Sequence, residues 1–111
     1  METLFTKIIE RKIPAKIVYE DELCLAFADI QPRAPVHVLL IPKKVIPSLA
    51  EAKEEDKALL GHLMVKAPEV ARLCGAEEFR LVANSGKSTG QTVFHLHFHI
   101  LAGREFEWPP G

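Results

Sequence analysis

At 111 residues with a formal net charge of -1, the chain has the length of one domain and no global basic field that would draw it to nucleic acid or to an anionic membrane. Its 48% hydrophobic and 26% charged residues are ordinary for a globular fold, and no apolar run nears the ~20 residues of a membrane-spanning helix. The opening residues Met1 to Phe5 lack a basic stretch followed by an apolar one, and Cys24 and Cys74 have no CxxC partner. A cytoplasmic protein with two buried free thiols is expected.

Leu4, Phe5, Ile8 and Ile9 fall on one face of a short helix over residues 3–11, with Thr3 as its cap and Pro14 beyond it. Lys16 to Glu20 reads as a strand, Asp21-Glu22 as a hairpin turn and Leu23 to Ala28 as the returning strand. Asp29 to Pro35 holds two prolines and is predicted to be a loop. The apolar run Val36 to Ile41 predicts a central strand, closed by Pro42. Pro47-Ser48 opens a turn or short helix, and Glu51, Glu54, Glu55 and Asp56 suit the start of a helix. That helix is predicted over 54–73, with Ala58, Leu59, Leu63, Lys66, Val70 and Leu73 as its mostly apolar stripe. Pro68 inside it predicts a kink or two abutting helices, and Gly75 a C-terminal cap. Phe79 to Ala83 is the fourth predicted strand, Asn84 to Thr92 a polar loop, and Val93 to Leu101 the fifth strand. Three strands, a helix and two more strands predict a single α+β domain over 1–111, rich in antiparallel pairing.

The fifth strand carries the functional signal, His95-Leu96-His97-Phe98-His99. Strand periodicity would turn Phe94, Leu96, Phe98 and Ile100 toward a core and set the three imidazoles on the opposite face. Three chemistries fit such a row. The rings can ligate a metal, although His95 and His99 lie about 13 Å apart along a strand, and further ligands such as His37 or His62 would be needed. They can be structural, satisfied by backbone carbonyls. Or one is a nucleophile, neutral at the attacking nitrogen and held through its other nitrogen, with its neighbours to orient it and move protons. The preceding loop, Asn84 to Thr92, offers Gly86, Gly90, hydroxyls and Lys87 as an anion cradle, without the spacing of a Walker A loop. Beside the histidines it points to a phosphoryl group.

These residues resemble the histidine triad (HIT) superfamily, whose signature alternates histidine with apolar residues as in His95-Leu96-His97-Phe98-His99-Ile100-Leu101. Ile13 to Ile17, Ala26 to Ile30, His37 to Lys44 and the ending Trp108-Pro109-Pro110-Gly111 are similar to its Hint branch, the nucleoside phosphoramidases. The third histidine, His99, separates the chain from the galactose-1-phosphate uridylyltransferase branch, which has glutamine there. The Trp-Pro-Pro-Gly ending separates it from the dinucleoside-polyphosphate hydrolases, the alternative activity. A nucleotide-binding scaffold without catalysis is the alternative of another class.

The resemblance implies a HIT-like fold, a five-stranded, mainly antiparallel sheet with one long helix and one short N-terminal helix. It also implies a homodimer across which the sheet extends. By the same likeness His97 attacks the phosphorus of an adenosine phosphoramidate or acyl-adenylate, and water then releases AMP. His99 lies by the phosphate or leaving group, while His95 and His37 orient His97. Asn84, Gly90, Gln91 and Thr92 form the phosphate loop through backbone N–H groups of Gln91 and Thr92, and the Thr92 hydroxyl helps protonate the leaving amine. Asp29 accepts from the ribose hydroxyls. Phe5, Ile8, Phe27, Ile30 and Leu39 hold the purine. Trp108 reaches the partner's pocket from an interface built on residues 58–73 and 79–83. No metal or other cofactor is required. The chain departs from the branch at Thr92, usually serine, at Ala28, often histidine, and at Ala102 in place of a glycine.

Overall fold

The structure is a computed structural model that describes residues 1–111. Its elements run α1 (Leu4–Ile9), β1 (Ile17–Glu20), β2 (Cys24–Ala28), β3 (Val36–Pro42), α2 (Lys57–Leu73), β4 (Arg80–Val82) and β5 (Phe98–Ala102). Single 3₁₀ turns lie at Leu49–Glu51, Glu54–Asp56 and Lys87–Thr89. The five strands form one sheet in the order β1-β2-β3-β5-β4, and all its pairs are antiparallel. No helix is long and apolar enough to cross a membrane.

Local chemistry explains the element ends. Thr3 caps α1 in a reciprocal box with Thr6. Asp21 Oδ1 accepts the N–H groups of Leu23 and Cys24, each at 2.8 Å, which makes the hairpin between β1 and β2. The long helix starts three residues later than its periodicity predicts, because Glu54–Asp56 is wound as a 3₁₀ turn. It runs unbroken through Pro68, so two abutting helices are not formed. Gly103 ends β5 at φ +95°, where a Cβ would stand 2.8 Å from Pro35 Cβ; both the angle and the space call for glycine.

Strand alternation divides the sheet into two working faces. Cys24, Ala26, Val38, Leu40, Phe98 and Ile100 pack under Leu63, Ala67, Val70 and Ala71 of α2. Each such buried aliphatic side chain contributes roughly 1.5–3 kcal/mol. Leu25, Phe27, Leu39 and Ile41 face the other way, against Phe5 and Ile8 of α1. Cys24 is buried, but Cys74 keeps partial exposure past the end of α2, so only one of the two thiols is sealed.

The fifth strand is shorter than its pattern. Pairing with β3 begins at Leu40 with Phe98, leaving His95 and His97 in irregular chain ahead of the strand. Continuing the register would set Leu96 opposite Pro42, which has no N–H to give; Leu96 N–H donates instead to Ile46 O at 2.7 Å. Leu96, Phe98 and Ile100 are in the core as predicted, whereas Phe94 is 43% exposed, since alternation does not hold before the strand starts.

Candidate active site

His97 is buried just ahead of β5. Its Nδ1 lies 2.8 Å from the carbonyl oxygen of His95. A carbonyl only accepts, so Nδ1 carries the hydrogen and Nε2 of the neutral ring is bare. Phe5 stands edge-on to this ring at 5.1 Å, and His99 at 5.2 Å. The three imidazoles keep to the α1 side of the sheet although only His99 is in a strand.

His99 belongs to a second chain of bonds across β2, β3 and β5. Arg33 N–H donates to His37 Nδ1 at 3.0 Å, so the hydrogen of neutral His37 is on Nε2. That nitrogen is 2.9 Å from His99 Nδ1 and 3.3 Å from Asp29 Oδ2. His37 therefore donates to His99, and His99 carries its own hydrogen on Nε2. Register explains the meeting: Leu39 pairs with His99 and His37 with Leu101, which makes His37 and His99 diagonal neighbours on one face. Asp29 N–H extends the β2–β3 ladder by bonding His37 O at 3.0 Å.

Burial keeps these rings neutral. It pushes His99 down to about 4, helped by the neighbouring His97 and His37. It lowers His95 and His37 as well, with Asp29 partly opposing the shift at His37. His95 itself is sealed, with Nε2 2.8 Å from Pro42 O and Nδ1 3.0 Å from Thr3 Oγ1. Its ring is a structural member, and its carbonyl is what holds His97.

His97 and His99 open into a cavity of about 390 Å³. Such a volume suits a small organic ligand. Phe5, Ile8, Phe27, Asp29, Ile30, Leu39 and Thr92 line it, all expected from the sequence. Ile30, 92% exposed, stands at its mouth. Ala28, a departure from the Hint branch, lines it too, as do Leu4, Ile13, Pro14, Ala15, Gln31 and Val93, which were not predicted. Ile13, Pro14 and Ala15 follow α1 in coil, where no periodicity marks a pocket wall.

The loop before the histidines is corrected in detail. Asn84, Gly90 and Gln91 do not line this cavity. Gly90 N–H donates to Lys87 O and Gln91 N–H to Gly86 O, so neither is free for a phosphate. The Gln91 side chain is buried as a staple: Nε2 donates to Pro47 O and Val93 O, and Oε1 accepts from Gly86 N–H. Thr92 alone of the four is on the cavity, exposed, and its N–H has no partner within the chain. Gln91→Ala is expected to cost about 2 kcal/mol, because it orphans part-buried backbone groups; urea unfolding at neutral pH measures it. Trp108 is 82% exposed and borders a different hollow with Asn84 and β4 residues, so it does not enter this chain's own cavity.

Two groups of side chains have the donors to hold a metal ion. One is Asp29, His37 and His99, inside the bond chain just described. The other is Asp21, Cys24 and His62, at the start of the hairpin and on α2. His62 Nε2 bonds Asp21 Oδ2 at 2.7 Å, and Tyr19 Oη donates to the same oxygen at 2.9 Å. Burial opposes ionisation of Asp21, but these bonds and the two hairpin N–H groups outweigh it and hold the carboxyl well below the usual range. Burial pushes the Cys24 thiol up to about 12. The cluster is a satisfied network that ties α2 to the hairpin, with His62 as its member on α2.

The architecture has close counterparts among solved structures. A HIT family hydrolase from Legionella pneumophila superposes with a TM-score of 0.95 at 44% identity, over 99% of this chain and 100% of that one. A histidine triad protein from Clostridium difficile gives 0.89 at 39% identity, over 96% of this chain and 97% of that one. Fold and site thus define an α+β domain of the HIT-like type, with a histidine held through its Nδ1 at a mostly apolar cleft. An uncharacterised HIT-like protein of Synechocystis sp. is 66% identical over 111 residues, 99% of this chain and 97% of that protein. The HIT domain family matches residues 10–106, and the chain belongs to that family.

Proposed function

We propose that the protein is a nucleotidyl hydrolase of the Hint type, cleaving the P–N bond of adenosine and related purine 5′-phosphoramidates through a nucleotidyl-histidine. The observation that carries this is the His97 ring, its Nδ1–H held by the His95 carbonyl and its bare Nε2 at a cavity of ligand size. The hydrolase name of the Legionella relative supports the reaction class.

In this mechanism the Nε2 lone pair of His97 forms a bond to phosphorus as the P–N bond of the substrate breaks. The leaving nitrogen keeps the electron pair and takes a proton relayed from solvent through the Thr92 hydroxyl. Water then attacks phosphorus, the bond to Nε2 breaks, AMP departs and the proton of water returns to solvent. His99 Nε2–H and Thr92 N–H meet the charge on the phosphoryl oxygens, and this route requires no metal. Asp29 Oδ1 already accepts from Gln31 N–H, yet its remaining lone pairs can accept from the ribose hydroxyls. Phe5, Ile8, Phe27 and Leu39 take the purine, with Ile30 at the rim.

The same reading includes a homodimer. β4 is an edge strand, and Val65, Leu73 and Met64 are 70%, 58% and 40% exposed on or at the end of α2. Pairing of that surface with a second copy would bury them and bring Trp108 toward the partner's cavity.

Incubation with a lysine or tryptamine adenosine phosphoramidate is expected to release AMP, and acid quenching to trap an adenylyl group on His97, seen by mass spectrometry. Tight AMP binding with neither turnover nor adduct would assign the cleft to a binding protein.

A further inference from the structure

One hydroxyl at the N-cap of α1 bonds the histidine row directly. Thr3 Oγ1 accepts Thr6 N–H at 3.0 Å as the helix cap, and it lies 3.0 Å from His95 Nδ1. Neighbouring groups set the direction of that second bond. His95 Nε2 faces the Pro42 carbonyl at 2.8 Å and must carry the ring hydrogen. A neutral ring then has a bare Nδ1, so the Thr3 hydroxyl donates to it. His95 has no exposure, so without Thr3 that nitrogen would be buried and unpaired. The carbonyl of the same residue accepts from His97 Nδ1. The helix that Thr3 caps also sets Phe5 edge-on to both rings, at 5.8 Å from His95 and 5.1 Å from His97.

We propose that Thr3 is a positioning residue for the nucleophile: its hydroxyl pins His95, and His95 in turn fixes the tautomer of His97. This rests on His97 being the attacking group. The ring of His95 is anchored at both nitrogens, and this holds its backbone carbonyl on His97 Nδ1. Releasing one anchor lets the main chain at 95 relax. His97 then samples the other tautomer, with its hydrogen on Nε2 and no lone pair for phosphorus.

Thr6 supplies the control. Its Oγ1 accepts Thr3 N–H at 2.7 Å and donates to Thr3 O at 2.8 Å, and no bond joins it to a histidine. Thr6→Val thus weakens the same cap and leaves the bond to His95. Thr3→Val is expected to lower kcat for a phosphoramidate roughly tenfold, the lower end of what losing an outer hydrogen bond that orients functional histidines costs at metal sites. Thr3→Ser is expected to restore it, and Thr6→Val to stay within about twofold of wild type. Imidazole ¹⁵N spectra should show His97 as one Nδ1–H tautomer in the wild type, Thr3→Ser and Thr6→Val proteins, and as a mixture in Thr3→Val. Thr3→Ala serves in its place should the valine variant fail to fold. A single unchanged His97 tautomer in Thr3→Val, or an equal loss of kcat in Thr6→Val, would overturn the proposal. Should the wild type leave phosphoramidates intact, the proposed function falls, and the nitrogen spectra still decide the role of Thr3.

Discussion

Replacing His97 by alanine is expected to cut phosphoramidate turnover by at least about 10⁴-fold, because the bond-forming atom itself is removed. The fold should survive. His97 makes one side-chain hydrogen bond, to the buried His95 carbonyl, and its ring lines the cavity, so truncation enlarges an existing hollow and leaves the α2 core untouched. Thermal unfolding therefore separates lost chemistry from lost structure, with a midpoint near that of the wild type. Free imidazole added to the variant should recover part of the rate, as it can occupy the vacated space beside Phe5. Turnover that persists in His97→Ala would transfer the nucleophile to another group.

Acidification should unfold the protein earlier than an ordinary domain of this size. An unfolded histidine takes up a proton near pH ~6.5. His99 in the folded state does so only near about 4, because of its burial and its two imidazole neighbours. Between those values the unfolded chain binds more protons, so stability is full above pH ~6.5 and drains away as pH falls toward 4. Allowing for ring contact with water in the cavity, His99 alone accounts for about 2–3 kcal/mol of loss by pH 4. His95 and His37 are shifted in the same direction and add to it. Urea midpoints at pH 7, 5.5 and 4.5 should fall steadily, and His99→Gln should flatten the slope. A wild-type midpoint that stays level from pH 7 to 4.5 would contradict the neutral-ring description of the site.

Much of this site was legible because its elements are locally periodic. Val36 to Ile41 is a buried apolar run, and the alternation around His99 sets its face correctly. His99 on one cavity with Phe27, Leu39 and Asp29 follows from strand parity once the pairing order is known, whereas His97, ahead of β5, is held through the His95 carbonyl. What escaped depends on partners distant in sequence. That Pro42 has no N–H shortens β5 and receives His95 only because the fold brings residues 42 and 95 together. Gln91 reads as part of a phosphate loop, yet its amide closes three backbone valences, at Gly86 in its own loop, at Val93 just past it and at Pro47, distant in sequence. Residue composition does not distinguish a loop that offers its N–H groups to a ligand from one that uses them internally. Thr3 was legible as a cap but not as a donor to a residue 92 positions away.

The two faces of the sheet also bear on how such a protein can diversify. A cluster of twelve buried residues that includes four from α2 holds the scaffold, whereas the cleft draws on a separate cluster of six that includes Phe5 and Ile8 of α1. Changes in what the cleft accepts can accumulate on the thinner side without eroding the mass behind it. Lineages that keep the α2 side are therefore free to drift toward new ligands in the cleft while remaining folded.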